Sequence, residues 1–163
     1  MTERIIDQEI RLIPYYRNDE VSFPWYLDPE ICRQVDNIDH LYDLERLHYM
    51  YDFLNTHGNC YYIEYRGAFV GDVSLRDTGE ISIVICREYQ NKKIGSRCIS
   101  EMLSLAKEKG LSCVRANIYA FNHQSRHTFL AAGFRQVSDE WYEYELGESR
   151  ERPSLPRLAG ILG

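Results

Sequence analysis

The chain has 163 residues, 44% of them hydrophobic and 27% charged, with a formal net charge of −6. One domain of this length buries about 70% of its unfolded surface, so two full domains would be cramped, and the apolar content excludes a disordered chain. No run of 18 apolar residues occurs, the N-terminus with Glu3, Asp7 and Glu9 lacks a signal-peptide core, and the acidic balance speaks against nucleic acid as a partner.

The charge is unevenly spread. Residues 1–57 carry 5 Lys/Arg against 12 Asp/Glu, a net of −7, and residues 58–163 carry 14 against 13, a net of +1. A solvated acidic surface and a cation-attracting mouth account for this equally well. Cys32, Cys60, Cys86, Cys98 and Cys113 are odd in number and form no CxxC pair. That fits reduced thiols in the cytoplasm better than a disulfide frame or a zinc site, and no metal is expected.

In chain order, residues 9–15 read as a strand stopped at Pro14, and residues 17–27 as a loop with Pro24 between aromatic residues. Asp28-Pro29-Glu30 is a helix start: Asp28 caps, Pro29 suits the first helical position and Glu30 the positive end of the dipole, giving a short helix to about residue 35. Leu41, Leu44, Leu47, Tyr51 and Leu54 recur at helical spacing, which predicts a helix over 41–56 ended by Gly58. Strands follow at 60–65 and 68–75 around the Arg66-Gly67 turn, then at 80–86 after Asp77-Thr78-Gly79. In that third strand Ile81, Ile83 and Ile85 share one face, with Glu80, Ser82, Val84 and Cys86 on the other. A helix over 94–109, a strand over 112–119, a helix over 122–132 and strands over 134–137 and 141–146 complete the domain, residues 1–146. After Gly147 a polar stretch with Pro153 and Pro156 predicts a flexible tail over 147–163. Three consecutive strands without an intervening helix argue against a doubly wound sheet and for an α+β fold: one mixed sheet of about seven strands flanked by about four helices.

The stretch Gln90-Asn91-Lys92-Lys93-Ile94-Gly95-Ser96 lies between an apolar strand and a long helix. Free N–H groups at such a junction, together with the helix dipole, suit a pyrophosphate, and Lys92, Lys93 and Arg97 add positive charge. Neither a Walker A loop nor G-x-G-x-x-G is present. An ordinary strand–helix connection is the plainer reading of the same residues. A second segment runs from Asn122, a good helix cap, through Ser125 and Phe129 to Gly133-Phe134.

Together the two segments resemble the GNAT superfamily of acyl-CoA-dependent N-acetyltransferases. Gln90 and Gly95 fill the outer positions of its Q/R-x-x-G-x-G/A pyrophosphate motif, with Lys93 in place of the first glycine. Asn122, Ser125, Gly133 and Phe134 match its second motif, with Phe129 where the family's proton-donating tyrosine stands. The resemblance implies a sheet splayed between its fourth and fifth strands, residues 80–86 and 112–119. It implies a pantetheine arm bonded to the main chain of Val84, Ile85 and Cys86, with Asn122, Ser125 and Phe129 near the cofactor. It also implies acetyl-CoA as co-substrate and direct attack of an amine on the thioester in a ternary complex.

A free alkyl amine has a pKa of about 10.4, so a carboxylate near the thioester is needed to accept its proton. Glu80 is the leading candidate and Asp72 the next, although an edge glutamate and a partnered core aspartate are the plainer readings. Tyr119, at the end of the fifth predicted strand, can supply the proton to the leaving thiolate, as can His123 or His127; Asn122 can bond the thioester region. Trp25, Tyr26, Tyr49, Tyr51, Asp72 and Trp141 are candidate walls of an acceptor pocket, with Asp28, Asp36 or Asp39 attracting a cation. Core packing is the alternative for each aromatic residue. The expected partner is a small-molecule or peptide amine of cationic character, such as a polyamine, an aminoglycoside or a protein N-terminus. No membrane or nucleic acid is expected, and a homodimer is possible. Two competing readings are a non-catalytic acyl-CoA-binding or sensing module and a phosphate-ligand domain unrelated to CoA.

Overall fold

The structure is a computed structural model that describes residues 1–147; beyond Gly147 the predicted tail lies outside the described residues. Eight strands form two sheets. The first has five antiparallel strands in the order β1 (Arg4–Ile5), β2 (Ile10–Pro14), β3 (Gly58–Tyr65), β4 (Ala68–Arg76) and β5 (Ile81–Ile85). The second sets β8 (Trp141–Glu145) between β6 (Cys113–Asn117) and β7 (Arg135–Gln136). The helices are α1 (Asp19–Ser22), α2 (Pro29–Asp36), α3 (Leu44–Thr56), α4 (Ile94–Glu108) and α5 (His123–Ala131).

Most elements follow local chemistry. Asp28 caps α2 by accepting the Glu30 N–H at 2.9 Å, Pro29 occupies its first position, and left-handed Asn37 ends it. Arg66 and Gly67 both have positive φ, as a tight hairpin turn of this type requires. The α3 start differs from the expectation. Asp43 accepts the Arg46 N–H at 2.8 Å and so sets the helix start at Leu44, leaving Leu41 and Leu44 exposed. Gly58 does not end that helix in a left-handed turn. It opens β3, where a Cβ would fall 2.6 Å from the Cα of Arg76, so the glycine permits close strand approach. The two-residue β1 and the helical turns over 19–27 were not expected from the sequence, and β6 is shorter than predicted, leaving Tyr119 in the loop beyond it.

The core is rich in tyrosine: Tyr26, Tyr51, Tyr61, Tyr62 and Tyr142 are fully buried. All five cysteines are free thiols, and burial pushes the Cys98 thiol up to about 12. Helix α3 packs on β3 and β4, whereas α4 packs on β4, β5 and β6 and so spans the seam between the sheets.

At that seam β5 and β6 run parallel but touch at one end only. A single bridge joins Glu80 to Arg115, with the Arg115 N–H donating to the Gly79 carbonyl at 2.9 Å. Gly79 has a φ of 98°, and a Cβ there would lie 2.7 Å from the Cys113 carbonyl oxygen, so this crossing needs glycine. Beyond it the strands part. The expected splay is present, numbered β5/β6 because β1 adds a strand.

Candidate active site

The connection from β5 to α4 passes through two left-handed residues, Asn91 (φ 65°) and Lys93 (φ 63°). Lys93 is the N-cap of α4 and makes no side-chain cap. This sets α4 apart from the other helices longer than one turn, because Asp28, Asp43 and Asn122 cap α2, α3 and α5 with side-chain oxygens, and only the four-residue α1 also lacks such a cap. Among the described residues the N–H groups of Ile94, Gly95 and Ser96 therefore have no acceptor. With the dipole of a 15-residue helix behind them and exposed Lys92 and Lys93 beside them, they form an anion cradle. Lys93 holds the left-handed turn that the family's glycine supplies, at a conformational cost of about 1–2 kcal/mol.

The other residues of this segment organise the loop. Gln90 donates its amide to the Ile85 carbonyl at 2.8 Å, and Gln124 at the start of α5 donates to Asn91 Oδ1 at 2.9 Å. Arg97, expected to add positive charge for a ligand, is already paired. Its guanidinium meets Asp7 at 3.1 Å and Glu9 at 2.8 Å, and it also bonds the Lys92 and Lys93 carbonyls. It ties the loop to the β1–β2 hairpin.

The free edge of β5 is defined by its register. The Cys86 N–H bonds the Val70 carbonyl at 2.8 Å, and the Arg76 N–H bonds the Glu80 carbonyl at 2.9 Å. Because backbone direction alternates, Ser82, Val84 and Cys86 spend their main-chain groups on β4, while Ile83 and Ile85 turn theirs toward the gap. The expectation for Val84 and Cys86 is corrected on this point. Ile83, which the sequence reading passed over, faces the gap instead.

Glu80 sits where the two sheets cross. Arg76 pairs with its Oε1 at 3.0 Å, and Oε2 has no partner among the described residues. Glu80 and Ser82 form one end of a cavity of about 780 Å³ whose opposite wall is α3 and the segment after α2. Asp36 and Tyr49, both candidates from the sequence, also line it. Tyr119 is half-buried, stacked on Phe121 at 5.7 Å, and its hydroxyl is raised above the ordinary tyrosine value by burial, with smaller contributions from Asp36 and Glu140. Arg33 of α2 lies 4.2 Å over the same Phe121 ring, so α2 meets the β6–α5 loop here.

Other predicted site residues lie elsewhere. Tyr26 and Asp72 are core residues rather than pocket walls. Asp72 is 3% exposed and accepts the hydroxyls of Tyr26 and Tyr51, each at 2.7 Å. Burial raises its carboxyl to about 6, against the opposing pull of those two hydroxyls. Trp25 lines a smaller cavity of about 410 Å³ with Asp28, Cys86 and Arg87, and Arg87 holds the Asp28 carboxyl below its ordinary value. Trp141 opens β8 and packs under Arg115 at 4.4 Å, outside both cavities. Phe129 is also a core residue, packed edge-on against Phe134 at 5.0 Å, so it offers no surface to a cofactor. Asn122 spends its Oδ1 on the Ser125 N–H at 3.2 Å, and His123 and His127 are exposed. Among the described residues no group of three or more potential metal ligands occurs, and no helix is long and apolar enough to cross a membrane.

An α+β sheet split along one edge, with an uncapped helix start beside the split, is the arrangement that the resemblance to acyl-CoA-dependent acyltransferases implies. The sequence profile of the acetyltransferase (GNAT) family matches residues 19–134, and the chain belongs to that family. Solved structures agree. A domain from Methanocaldococcus jannaschii is 25% identical with a TM-score of 0.73, covering 86% of this chain and 100% of that one. A GNAT-family acetyltransferase from Bacillus anthracis is 15% identical with a TM-score of 0.72, covering 85% and 95%. A ribosomal alpha-N-protein acetyltransferase in complex with coenzyme A is 13% identical with a TM-score of 0.72, covering 88% and 97%. No curated protein sequence matches the chain.

Proposed function

We propose that the protein transfers the acetyl group of acetyl-CoA to a primary amine by direct attack within a ternary complex. The observation that carries this reading is the pairing of the uncapped α4 start with the free edge of β5 along one cleft. Ile94, Gly95 and Ser96 offer N–H donors for the pyrophosphate, and the main-chain groups of Ile83 with the N–H of Ile85 serve the pantetheine amides, the Ile85 carbonyl being held by Gln90. The bound thioester supplies the activated acetyl group.

The amine enters through the cavity that ends at Glu80. As the amide C–N bond forms and the thioester C–S bond breaks, the amine proton passes to the free oxygen of Glu80, whose orientation Arg76 fixes. Tyr119, protonated at neutral pH as any tyrosine is, returns a proton to the departing thiolate. Asn122 caps α5 through Oδ1 and leaves its amide N–H groups for the thioester region. Five reduced thiols support a cytoplasmic setting.

Two measurements test this. Acetyl-CoA raises the melting temperature, and thiol release with an amine panel follows saturation in both substrates. Glu80→Gln lowers the rate at neutral pH by about 100-fold, and raising the pH recovers part of it. An unchanged pH–rate profile removes Glu80 from the mechanism, and binding of acetyl-CoA with no thiol release favours a non-catalytic sensing module.

A further inference from the structure

Resting on the acetyl-transfer reading, we propose that the acceptor is a primary monoamine carried on an aromatic or broad apolar body, and that a polyamine is disfavoured. The 780 Å³ cavity falls within the range of about 300–1,000 Å³ usual for small-molecule sites. Its charges decide the head group. Four carboxylates line it, Asp36, Asp43, Glu45 and Glu80, against the guanidiniums of Arg46 and Arg76. Arg46 is paired with Asp36 at 3.2 Å and Arg76 with Glu80 at 3.0 Å, so the negative excess rests on Asp43 and Glu45 in the region where α3 begins. A single ammonium is drawn in by that excess.

A second or third ammonium along the same ligand finds no carboxylate beyond Asp43 and Glu45 that an arginine has not already paired. Arg46 lies 5.0 Å over the Tyr42 ring and Arg76 lies 4.9 Å over the Phe53 ring, so both guanidiniums rest on aromatic walls as well as on their carboxylates. Each further ammonium must then shed its water against apolar lining with no charge to pair it, which costs free energy.

The remaining lining decides the body. Val35, Met50, Phe53 and Leu54 contribute apolar surface. Tyr49 lines the cavity yet is 71% exposed, with its ring stacked at 21° to Phe53. Leu41, also lining, is 43% exposed. Large apolar side chains left uncovered around a cavity mouth supply contact area to whatever enters. A flat aromatic body uses the Tyr49–Phe53 surface, while its amine reaches the Glu80 end.

Initial rates of thiol release with saturating acetyl-CoA test the assignment, comparing phenethylamine, spermidine and a short peptide with a free N-terminus. The expected kcat/KM for phenethylamine exceeds that for spermidine by at least about tenfold. Tyr49→Ala, at an exposed position, raises the KM for phenethylamine about 3- to 10-fold and leaves the KM for acetyl-CoA unchanged. Arg46→Gln narrows the gap by improving turnover of spermidine. A preference for spermidine or for the peptide overturns the assignment and leaves acetyl transfer standing, as does a phenethylamine KM that ignores Tyr49→Ala. Failure of every amine, with acetyl-CoA still raising the melting temperature, overturns acetyl transfer itself.

Discussion

The N-terminal third and the start of α4 treat unmatched polar groups in opposite ways. Of the 12 carboxylates in residues 1–57, six lie within ion-pair distance of an arginine: Glu3, Asp7, Glu9, Asp28, Asp36 and Asp52. The net of −7 is thus largely spent on tying segments together. Arg97 joins Asp7 and Glu9 to α4 across about ninety residues of sequence, and Arg87 joins β5's end to Asp28. At the α4 start, three N–H groups are left without acceptors. A formal charge count says little about where a ligand binds; groups that the fold leaves unsatisfied say more. Of the carboxylates in the acidic third that no arginine pairs, Asp43 and Glu45 line the larger cavity.

Asp72 is the extreme of the matched side and gives the largest expected effect. Asp72→Ala strands two buried tyrosine hydroxyls and lowers stability by about 3 kcal/mol or more, a fall of roughly 10 °C in melting temperature. The sign of its pH dependence follows from a folded pKa of about 6 against 3.8 for an ordinary aspartate. The folded state holds this proton more tightly, so ionisation of Asp72 progressively lowers stability as pH rises from about 4 to about 6, with no further loss above. Asp72→Asn removes that contribution. Urea melts of both proteins between pH 4 and 7 show it as a difference in slope, and parallel slopes break the account.

Gly95 probes the unmatched side. A Cβ there meets only Ile85 Cδ1, at an ordinary 3.6 Å, so Gly95→Ala fits the fold and gains helix propensity of up to about 1 kcal/mol. The same methyl obstructs close approach of a pyrophosphate, and the KM for acetyl-CoA rises about tenfold. A melting temperature that falls while the KM holds reverses the contrast between a structural and a functional region. The smallest effect is that of Lys93→Gly. It relieves the left-handed strain and stabilises the protein by about 1 kcal/mol or less. The acetyl-CoA KM moves less than about threefold, because the cradle uses backbone donors; a larger rise, abolished by salt, assigns the binding to the lysine charge.

Much of this arrangement was readable from the sequence. Asp28-Pro29 marked the start of α2, Arg66-Gly67 the hairpin, and the motifs at residues 90–95 and 122–134 the family and the split sheet. What could not be read depended on partners distant in the chain. Leu41 has the helical spacing but lies outside α3, because the Asp43 cap intervenes. Ile83 and Val84 look interchangeable until β4 pairs with one set of backbone groups. Asp72 was recognisable as partnered, but only the fold brings Tyr26 and Tyr51 to it, and that takes it out of the acceptor pocket. Tyr49 and Asp36 were named among many candidates; Phe53, Met50 and Arg76, which complete the cavity, carried no signal beyond amphipathic spacing and a strand end.

The single bridge between Glu80 and Arg115 has a consequence for solubility. A strand whose outer hydrogen-bonding groups past Ile81 are unclaimed among the described residues, save the Ile85 carbonyl held by Gln90, is a template for any extended chain, including another molecule of the same protein. Whatever lies along Ile83 and Ile85 in the cell competes with that association.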